Sequence, residues 1–318
     1  MSSSPLISVN LAVYNAASYL AATLESILVQ TLENFECLIV DDGSTDGSRA
    51  ILQRYVDRDP RLRLWCNPNQ GVSKSRNQLL AASRGELIAI MDADDIALPH
   101  RFALQAAFLQ SHPDHVCVGG AHDLIDHRGR YLTCLRLPET NGEIQSLALA
   151  GHGSICHPCA MVRRSALEAV GGYDVSLRSA HDLDLWLKLG EIGQLANLPD
   201  TLLQYRLLTN SVSGRNPRDQ RAEARLACEA AWRRRGLEGR FEATQPWRPT
   251  GDRSSQHHFM LQYGWWAFNS HQQWTAAIYG GKAILALPWS GGGWKLLIRA
   301  LVKWGLGPLS KPSTGGWN

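Results

Sequence analysis

The sequence lacks the features that would place a protein in a membrane or outside the cell. It has no run of about 18 or more consecutive apolar residues, so it predicts no bilayer-spanning helix. Its first residues, Met1 to Pro5, lack the basic and apolar regions of a secretory signal. Seven cysteines are an odd number and are scattered along the chain, which does not suit a disulfide framework. We therefore expect a cytoplasmic protein with reduced thiols.

Two common phosphate-binding motifs are also missing. The chain has neither the glycine pattern of dinucleotide-binding folds nor the glycine-rich loop, followed by Lys and Ser or Thr, of nucleoside triphosphatases. The basic run Arg233–Arg235 has no nucleic-acid-binding motif beside it, so it is interpreted as a solvated helix end. These absences argue against dinucleotide-dependent enzymes, nucleoside triphosphatases and nucleic-acid-binding proteins.

Acidic residues are missing from the last part of the chain. None follows Asp252, and residues 253–318 carry six basic residues, which give a formal charge of +6. Nine of the eleven tryptophans lie after residue 225. Residues 294–304 place apolar and basic side chains on different faces of a predicted helix, which suits either an anionic membrane surface or packing on the rest of the protein. We predict a basic, Trp-rich helical region over residues 215–318.

The remaining composition and pattern predict an α/β fold. The 318 residues are 44% hydrophobic and 19% charged, as in ordinary globular proteins. From about residue 5 to 112, apolar strands alternate with helical segments of about 10–15 residues, which is typical of a doubly wound, mainly parallel sheet flanked by helices. The pattern changes after Pro113. We therefore predict a first domain over residues 1–214, with halves at about 5–112 and 113–214.

Three carboxylates follow the apolar strand predicted over residues 86–91. Asp92, Asp94 and Asp95 stand at its carboxyl end, and in an α/β sheet this is the edge where ligands bind. Two carboxylates spaced Asp-x-Asp suit a hard divalent cation such as Mg²⁺ or Mn²⁺, with substrate phosphates in its remaining positions. The alternative is a solvated acidic turn before the next helix.

Tyr14 and Asp42 follow two other predicted strands at the same edge of the sheet. Together with Asp94 they converge as a ligand crevice requires. The loop Gly43–Gly47 allows backbone to approach a ligand closely. A turn followed by a helix N-cap explains the same loop equally well.

A series of short motifs resembles the family 2 glycosyltransferases. Members of that family are inverting, nucleotide-sugar-dependent enzymes of the GT-A fold. The resemblance runs from about residue 6 to 214, and the order and spacing of the motifs make it specific although each motif alone is weak. The motifs are Val9–Asn15, Leu38–Gly47, Asn69–Asn77, Met91–Asp95, Ile155–Arg164, Gly171–Asp174 and His181–Trp186.

This resemblance implies roles for the residues at the motif positions. Asp94 is expected to bind the divalent metal, Mg²⁺ or Mn²⁺, that bridges the donor diphosphate. Asp182 is expected to be the general base that takes the proton of the acceptor hydroxyl. Six further residues are expected to bind the nucleotide-sugar. These are Ala12, Tyr14, Asp42, Arg76, Asp92 and Ala93.

The sequence departs from the family pattern in places. His181 stands where the family commonly has Glu, and the Gln-x-x-Arg-Trp motif of processive synthases is absent, so a single-transfer enzyme is expected. The histidine often found in the closing segment is replaced by Leu207-Leu208. Cys156 and Cys159, with histidines nearby, also allow a zinc or redox site, but buried small residues on a strand are the preferred interpretation.

The expected function is transfer of one sugar from a nucleotide-diphosphate sugar to an acceptor hydroxyl during cell-surface polysaccharide or lipopolysaccharide assembly. The expected acceptor is a glycan or a lipid-linked molecule, and residues 253–318 are expected to contact the inner face of the membrane peripherally. Two alternatives remain. One is a non-catalytic nucleotide- or glycan-binding protein. The other is a sugar-phosphate nucleotidyltransferase, although the Gly-rich basic loop of that class is missing near residues 14–20.

Overall fold

The computed structural model groups the chain into two compact units. The described residues are 4–208, 217–243 and 252–305. Among them, the first unit comprises 4–124, 134–206 and 217–243, and the second comprises 125–133, 207–208 and 252–305. The predicted domain boundary between residues 214 and 215 lies outside the described residues and stays a prediction.

A nine-stranded sheet organises the first unit. The strands are β1 (Ile7–Val13), β2 (Phe35–Asp41), β3 (Leu62–Cys66), β4 (Leu87–Asp92), β5 (Ile96–Ala97), β6 (His115–Asp126), β7 (Tyr131–Leu135), β8 (Met161–Arg163) and β9 (Gln194–Leu207). Their order is β3-β2-β1-β4-β8-β6-β9-β5, and β7 pairs with β6 outside this path. Strands β3, β2, β1 and β4 are parallel to one another, as the alternating pattern predicts.

The parallel strands are buried on both faces. Every residue of β2 is buried, and its side chains alternate between two hydrophobic clusters, with Cys37 and Ile39 in one and Leu38 and Val40 in the other. Strands covered by helices on both faces have this nearly continuous apolar sequence rather than an alternating one. Because helices cover both faces of the sheet, polar groups are accommodated at the ends of its strands.

Eight α-helices of the first unit are described. They are α1 (Leu20–Leu28), α2 (Ser48–Val56), α3 (Val72–Ala82), α4 (Arg101–Ser111), α5 (Asn141–Leu149), α6 (Arg164–Ala169), α7 (His181–Leu189) and α8 (Pro217–Arg235). Helix α5 is not predicted by the sequence pattern. It packs with α7 and α8 around small side chains, including Ala148, Ala227 and Ala231.

The second half of the sheet is antiparallel and differs in detail from the sequence prediction. Strand β8 lies antiparallel to β4 and β6, and β5 lies antiparallel to β9. Strand β8 begins only at Met161, because His157–Cys159 form a turn of 3-10 helix around a proline that has no N–H to donate. Strand β9 begins at Gln194 and runs to Leu207.

The second unit contains three helices and the tip of the β6–β7 hairpin. The helices are α9 (Arg253–Asn269), α10 (Gln273–Ala286) and α11 (Gly291–Gly305). Tyr279 of α10 donates a 3.2 Å hydrogen bond to the carboxylate of Asp126, which also pairs with Arg130 at 2.6 Å. This buried network ties the hairpin tip to α10. No helix in the described part of the chain combines the length and the apolar character needed to cross a bilayer.

Candidate active site

Three neighbouring strand ends bring the predicted nucleotide-side residues to one edge of the parallel sheet. Tyr14 directly follows β1, Asp42 directly follows β2, and Asp92 is the last residue of β4. In the register of the sheet, Ala12 lies between Val40 and Asp92. The side chains expected to meet in a ligand crevice are therefore placed close together by strand pairing alone.

The segment after β1 is held by the loop after β2. Asn15 has φ = 51°, a left-handed conformation that Asn tolerates better than most residues. Its N–H donates to Ser44 Oγ at 3.0 Å, and its side-chain oxygen accepts the N–H of Thr45 at 2.8 Å. Tyr14, next to this fixed residue, is 47% exposed. Its ring is thus held at the sheet edge on a constrained backbone and remains accessible.

The Asp42 carboxylate is buried and bonded to the loop that precedes α3. It accepts the N–H of Gln70 at 2.9 Å and the N–H of Gly71 at 3.0 Å. Gly71 has φ = 95°, a conformation that favours glycine. A Cβ on Gly43 would lie 2.6 Å from the backbone nitrogen of Asn69, so glycine is required there for the two loops to meet. Asp42 therefore organises the crevice wall.

In the acidic turn after β4, the buried carboxylate belongs to Asp95. It accepts the backbone N–H of Arg206 at 2.8 Å, and the guanidinium of Arg206 donates to the Asp94 carbonyl at 2.8 Å. Burial, and then the negative charges of Asp94 and Asp92, raise the pKa of Asp95 well above its ordinary value. Asp92 and Asp94 are less buried than Asp95, so their carboxylates belong to the accessible edge.

Ala93 does not present its side chain as an accessible contact in this turn. It is buried in the main hydrophobic cluster, and its carbonyl accepts a hydrogen bond from the hydroxyl of Thr23 at 3.0 Å. The same hydroxyl donates to the Asp95 carbonyl at 2.8 Å. Thr23 of α1 therefore fixes the backbone of the acidic turn through these two carbonyl groups.

Arg76 of α3 connects the acidic turn to helix α7. One nitrogen of its guanidinium donates to Asp92 at 2.8 Å, and another contacts Nε2 of His181. The guanidinium also lies over the ring of Tyr173, 5.5 Å from the ring centre. Because an arginine only donates hydrogen bonds, Nε2 of His181 accepts one and the imidazole is neutral.

Two buried histidines, His181 at the start of α7 and His157 in the 3-10 turn, lie among aromatic rings. Nε2 of His157 lies 3.1 Å from the hydroxyl of Tyr173, and its ring is 5.7 Å from the rings of both His181 and Trp186. Burial, reinforced by the charge of Arg76, lowers the pKa of His181 to about 3 and that of His157 well below its ordinary value. Both imidazoles are therefore neutral over the physiological range.

The segment that carries Tyr173 is anchored to α3 by Asn77. Its side-chain amide accepts the Tyr173 N–H and donates to the Tyr173 carbonyl, each at 2.8 Å. Gly171 and Gly172 both have positive φ, and a Cβ on Gly172 would lie 2.6 Å from the Asn77 side chain. Glycine at position 172 therefore lets the chain approach α3 closely enough to place the aromatic ring beside Arg76.

Asp182 lies in the first turn of α7, next to His181. Burial raises the pKa of its carboxyl above the ordinary value, against the opposing effects of the Leu183 N–H and of Arg76. Its neighbour Asp184 is buried on another face of the helix and pairs with Lys188 at 2.6 Å. As the helical period predicts, the two carboxylates do not share a partner. Asp182 is not the N-cap of α7, since Ala180 holds that position without a side-chain bond.

A glutamate from α8 holds the segment that leads into α7. One carboxylate oxygen of Glu223 accepts the N–H groups of Arg178, Ser179 and Ala180, at 3.1, 2.8 and 3.2 Å. It also accepts the hydroxyl of Ser179 at 2.8 Å. Although burial alone would raise it, these hydrogen bonds lower the pKa of Glu223 below its ordinary value. The conformation of the residues just before His181 and Asp182 is thus set by α8.

The acidic turn has the donor chemistry of a divalent-cation site. Carboxylate oxygens are the ligands that Mg²⁺ and Mn²⁺ prefer. The repulsion that helps to raise the Asp95 pKa marks a local excess of negative charge, which a cation would relieve. Within the described residues, no three His, Cys, Asp or Glu side chains form a metal-binding group. An ion at Asp92 and Asp94 would therefore need phosphate oxygens as further ligands.

Cys156 and Cys159 do not have the environment of a zinc or redox site. Burial raises the pKa of Cys159 to about 11 and that of Cys156 well above its ordinary value. Zinc and disulfide chemistry use the thiolate, which this apolar setting disfavours. The pair is better explained as small side chains in the core beside β8.

Sequence comparisons identify the family. Residues 8–171, more than half of the chain, match the family model described as glycosyl transferase family 2. The chain is 33% identical over 212 residues to the putative glycosyltransferase EpsE of Bacillus subtilis, covering 65% of this chain and 74% of that protein. It is 32% identical over 214 residues to the amylovoran biosynthesis glycosyltransferase AmsE of Erwinia amylovora, covering 66% and 79%. This chain therefore belongs to the family 2 glycosyltransferases.

Solved structures confirm the fold. The mannosyltransferase PcManGT of Pyrobaculum calidifontis, solved with GDP-Man and Mn²⁺, aligns with a TM-score of 0.56 at 19% identity over 95% of this chain and 81% of that one. Residues 1–349 of S. aureus TarS, solved with UDP-GlcNAc, align with a TM-score of 0.52 at 18% identity over 93% and 80%. The predicted GT-A-like α/β fold with a helical C-terminal region is confirmed.

The structure adds residues that the sequence pattern does not single out. Asp95 and Thr23 support the acidic turn, and Glu223 supports the start of α7. The sequence shows Asp95 as one of three neighbouring acids, but it does not indicate that Asp95, rather than Asp92 or Asp94, is the buried one. Glu223 lies about 40 residues away from its partners, beyond any local pattern.

Proposed function

We propose that this glycosyltransferase transfers a single sugar, with inversion, from a nucleotide-diphosphate sugar to an acceptor hydroxyl in a metal-dependent reaction. The observation that carries the proposal is the position of Arg76. It bonds Asp92 on the acidic turn and His181 at the start of α7, so the accessible carboxylates and Asp182 belong to one connected site. A donor held at the acidic turn and an acceptor held at Asp182 would then be neighbours.

The donor side binds the nucleotide-sugar in this proposal. The accessible ring of Tyr14 stacks on the nucleobase. Ala12, near the end of β1, has a small side chain that leaves room for the base. Asp42 shapes the pocket through the Gln70 and Gly71 amides and offers its remaining lone pairs to the base. Arg76 supplies positive charge near the diphosphate, which its pairing with Asp92 orients. Ala93 contributes through its backbone.

Asp94, with help from Asp92, would hold the divalent cation. When bound, such an ion neutralises charge that develops on the leaving diphosphate. The Mn²⁺ in the PcManGT structure supports a metal in this fold. Whether Mg²⁺ or Mn²⁺ acts here is decided by metal availability and ligand geometry rather than by the carboxylates alone.

The acceptor side activates the hydroxyl. Asp182 removes its proton as the acceptor oxygen bonds to the anomeric carbon of the sugar. The bond from that carbon to the diphosphate oxygen breaks in the same displacement, so the nucleoside diphosphate leaves with its charge. The raised pKa of Asp182 makes it a better proton acceptor than an ordinary aspartate. One displacement of this kind inverts the anomeric centre.

The donor and acceptor classes are proposed from the proteins to which this chain is similar. The two solved structures were determined with UDP-GlcNAc and with GDP-Man, which makes both nucleotide-sugars reasonable first candidates. Relatives named for amylovoran biosynthesis and as chondroitin synthase support a role in polysaccharide assembly. We propose a glycan or lipid-linked acceptor at the cytoplasmic face of a membrane, contacted peripherally by residues 253–318.

A thermal-shift panel followed by a turnover assay tests the proposal. Nucleoside diphosphates are added with and without Mn²⁺, and a true ligand at about 100 times its Kd stabilises the protein by about 2.7 kcal/mol. The donor that stabilises most is then incubated with the enzyme, and release of nucleoside diphosphate is measured. Metal-dependent binding without any release, with or without glycan acceptors, would instead favour the non-catalytic binding protein. Nucleotide transfer to a sugar phosphate would favour the nucleotidyltransferase.

A further inference from the structure

Helix α11 packs on its neighbours through one face and leaves several large apolar side chains of another face exposed. Its buried residues are Gly293, Leu296 and Ala300. A Cβ on Gly293 would meet Ile284, and a Cβ on Gly264 would meet Leu296, so these contacts with α9 and α10 are close. In contrast, Ile298 is 57% exposed and Trp304 is 59% exposed. The apolar face that helical spacing predicts is therefore not the face that packs.

The exposed apolar side chains continue onto the neighbouring segments of the second unit. The ring of Trp274 lies 5.9 Å from that of Trp304, and Trp294 donates a hydrogen bond to the carbonyl of Pro288, beside the fully exposed Trp289. We call this the tryptophan surface. It consists of Trp274, Trp289, Trp294, Ile298, Leu301 and Trp304. Clusters of this kind on a protein surface usually mark a binding site.

Basic side chains border the tryptophan surface. Lys295, Arg299 and Lys303 recur every four residues on α11 and are all exposed. At about 100° per residue, they form a stripe between the exposed apolar face and the buried face. Arg299 and Lys303 lie over the rings of Trp265 and Phe268 of α9. These contacts hold the two charges on the side of α11 that faces α9. No acidic residue occurs after Asp252 to offset them.

We propose that α11 lies in the plane of an anionic lipid bilayer, with the tryptophan surface in the interfacial region and the basic stripe on the lipid headgroups. Helices with an apolar aromatic face beside a Lys/Arg face bind membranes in this way. The inference rests on the membrane contact in the proposed function and names the helix, the face and the lipid charge. A second copy of the chain fits this surface less well, because it would bring two basic stripes together without an acidic partner.

The test is co-sedimentation of the full chain with vesicles. Phosphatidylcholine vesicles are compared with vesicles that also contain phosphatidylglycerol, over a series of salt concentrations. We expect binding to the mixed vesicles that weakens as salt rises, since the headgroup attraction is screened. Replacing Lys295, Arg299 and Lys303 together by Gln should weaken binding by about 100-fold, because each such residue contributes about fivefold.

Matched variants control for charge and for exposed apolar area. The triple change of Arg49, Arg54 and Arg58 to Gln removes the same charge from exposed positions of the first unit and should leave vesicle binding nearly unchanged. The double change Trp294→Ser with Ile298→Ser should reduce binding to both vesicle types. Leu226→Ser, at an exposed position of α8, should not.

Several results would overturn the proposal. Equal binding to both vesicle types at all salt concentrations would do so, as would a failure to bind the mixed vesicles. A dimer in light scattering that Trp294→Ser with Ile298→Ser dissociates would assign the surface to a second copy. Vesicle binding is measured without donor or acceptor, and nucleoside diphosphate binding is measured without vesicles. A failed sugar-transfer reaction and a failed membrane contact are therefore distinguished.

Discussion

The proposed donor side and the proposed acceptor side of the candidate site are built in opposite ways. On the donor side, the carboxylates of Asp42 and Asp92 have close partners in two amides and a guanidinium, and their positions follow from strand ends. On the acceptor side, His157, His181 and Asp182 are ionisable groups whose charged forms are disfavoured by burial. Holding a ligand in one position needs polar groups that are themselves fixed by hydrogen bonds, whereas proton transfer needs a group whose pKa has been shifted.

The largest effect is expected on the acceptor side, from Asp182→Asn. This change keeps the shape of the side chain and removes the base, so turnover should fall by about 10²–10⁴-fold. Donor affinity should change little, since the acceptor proton plays no part in it. Both are measured by steady-state kinetics and by calorimetric titration of the donor. Asp184→Asn is the control, because its carboxylate pairs with Lys188: it should lower thermal stability more than turnover. Near-normal transfer by Asp182→Asn would rule out the base assignment.

The second effect is expected on the donor side, from Asp94→Ala. Loss of one charged ligand should weaken metal-dependent binding of a nucleoside diphosphate by about 10- to 100-fold. Titration with and without EDTA measures this, and Asp57→Ala, at an exposed position outside the site, should bind like the parent protein. If EDTA and Asp94→Ala both leave the affinity unchanged, the donor side does not use a metal.

A third, smaller effect is expected where α8 supports the acceptor side. Glu223→Ala removes the acceptor of three backbone N–H groups just before α7, so the start of that helix should lose its fixed position. We expect turnover to fall by about 10-fold or more while donor affinity is retained, because misplacement of a reacting group by about 1 Å is enough for such a loss. Glu223→Gln still offers an oxygen and should recover part of the turnover. Equal losses of donor affinity and turnover would show a general structural role instead.

The smallest expected effect concerns stability. Burial raises the folded-state pKa of Asp182 above its value of 3.8 in an unfolded chain, so the folded state binds the proton more tightly. The stability that this group contributes is present below pH 3.8 and is lost as pH rises through the folded pKa. At neutral pH, Asp182→Asn should therefore raise the Tm, and the gain should shrink toward pH 4. A lower Tm at pH 7 would show that the carboxylate is well solvated in the folded state.

The donor side was largely predictable from sequence. An apolar strand that ends in a polar residue is a local pattern, and parallel strands place all such ends at one edge. Tyr14, Asp42 and Asp92 were identified in this way, and the register of β1, β2 and β4 brings them together. What the pattern did not predict is that the Asp42 carboxylate binds the Gln70 and Gly71 amides, which depends on how two loops meet.

The acceptor side was only partly predictable. Asp182 was identified through a family resemblance, since no local pattern separates it from Asp184. Its raised pKa, the neutral state of His181 and the contact from Glu223 all depend on packing between α3, α7 and α8. Desolvation is a property of the surrounding atoms, which come from distant parts of the chain, so sequence spacing cannot supply it.

The same division holds for α11. The sequence by itself determined its amphipathic pattern, its basic stripe and the absence of acid after Asp252, because these are properties of residue type and helical spacing. Only the tertiary structure decided which face is covered. Gly264, Gly280 and Gly293 let the helices of the second unit approach through small side chains, and this close packing leaves Trp294 and Ile298 exposed. Spacing defines the faces of a helix, whereas the shape of its neighbours decides which of them is buried.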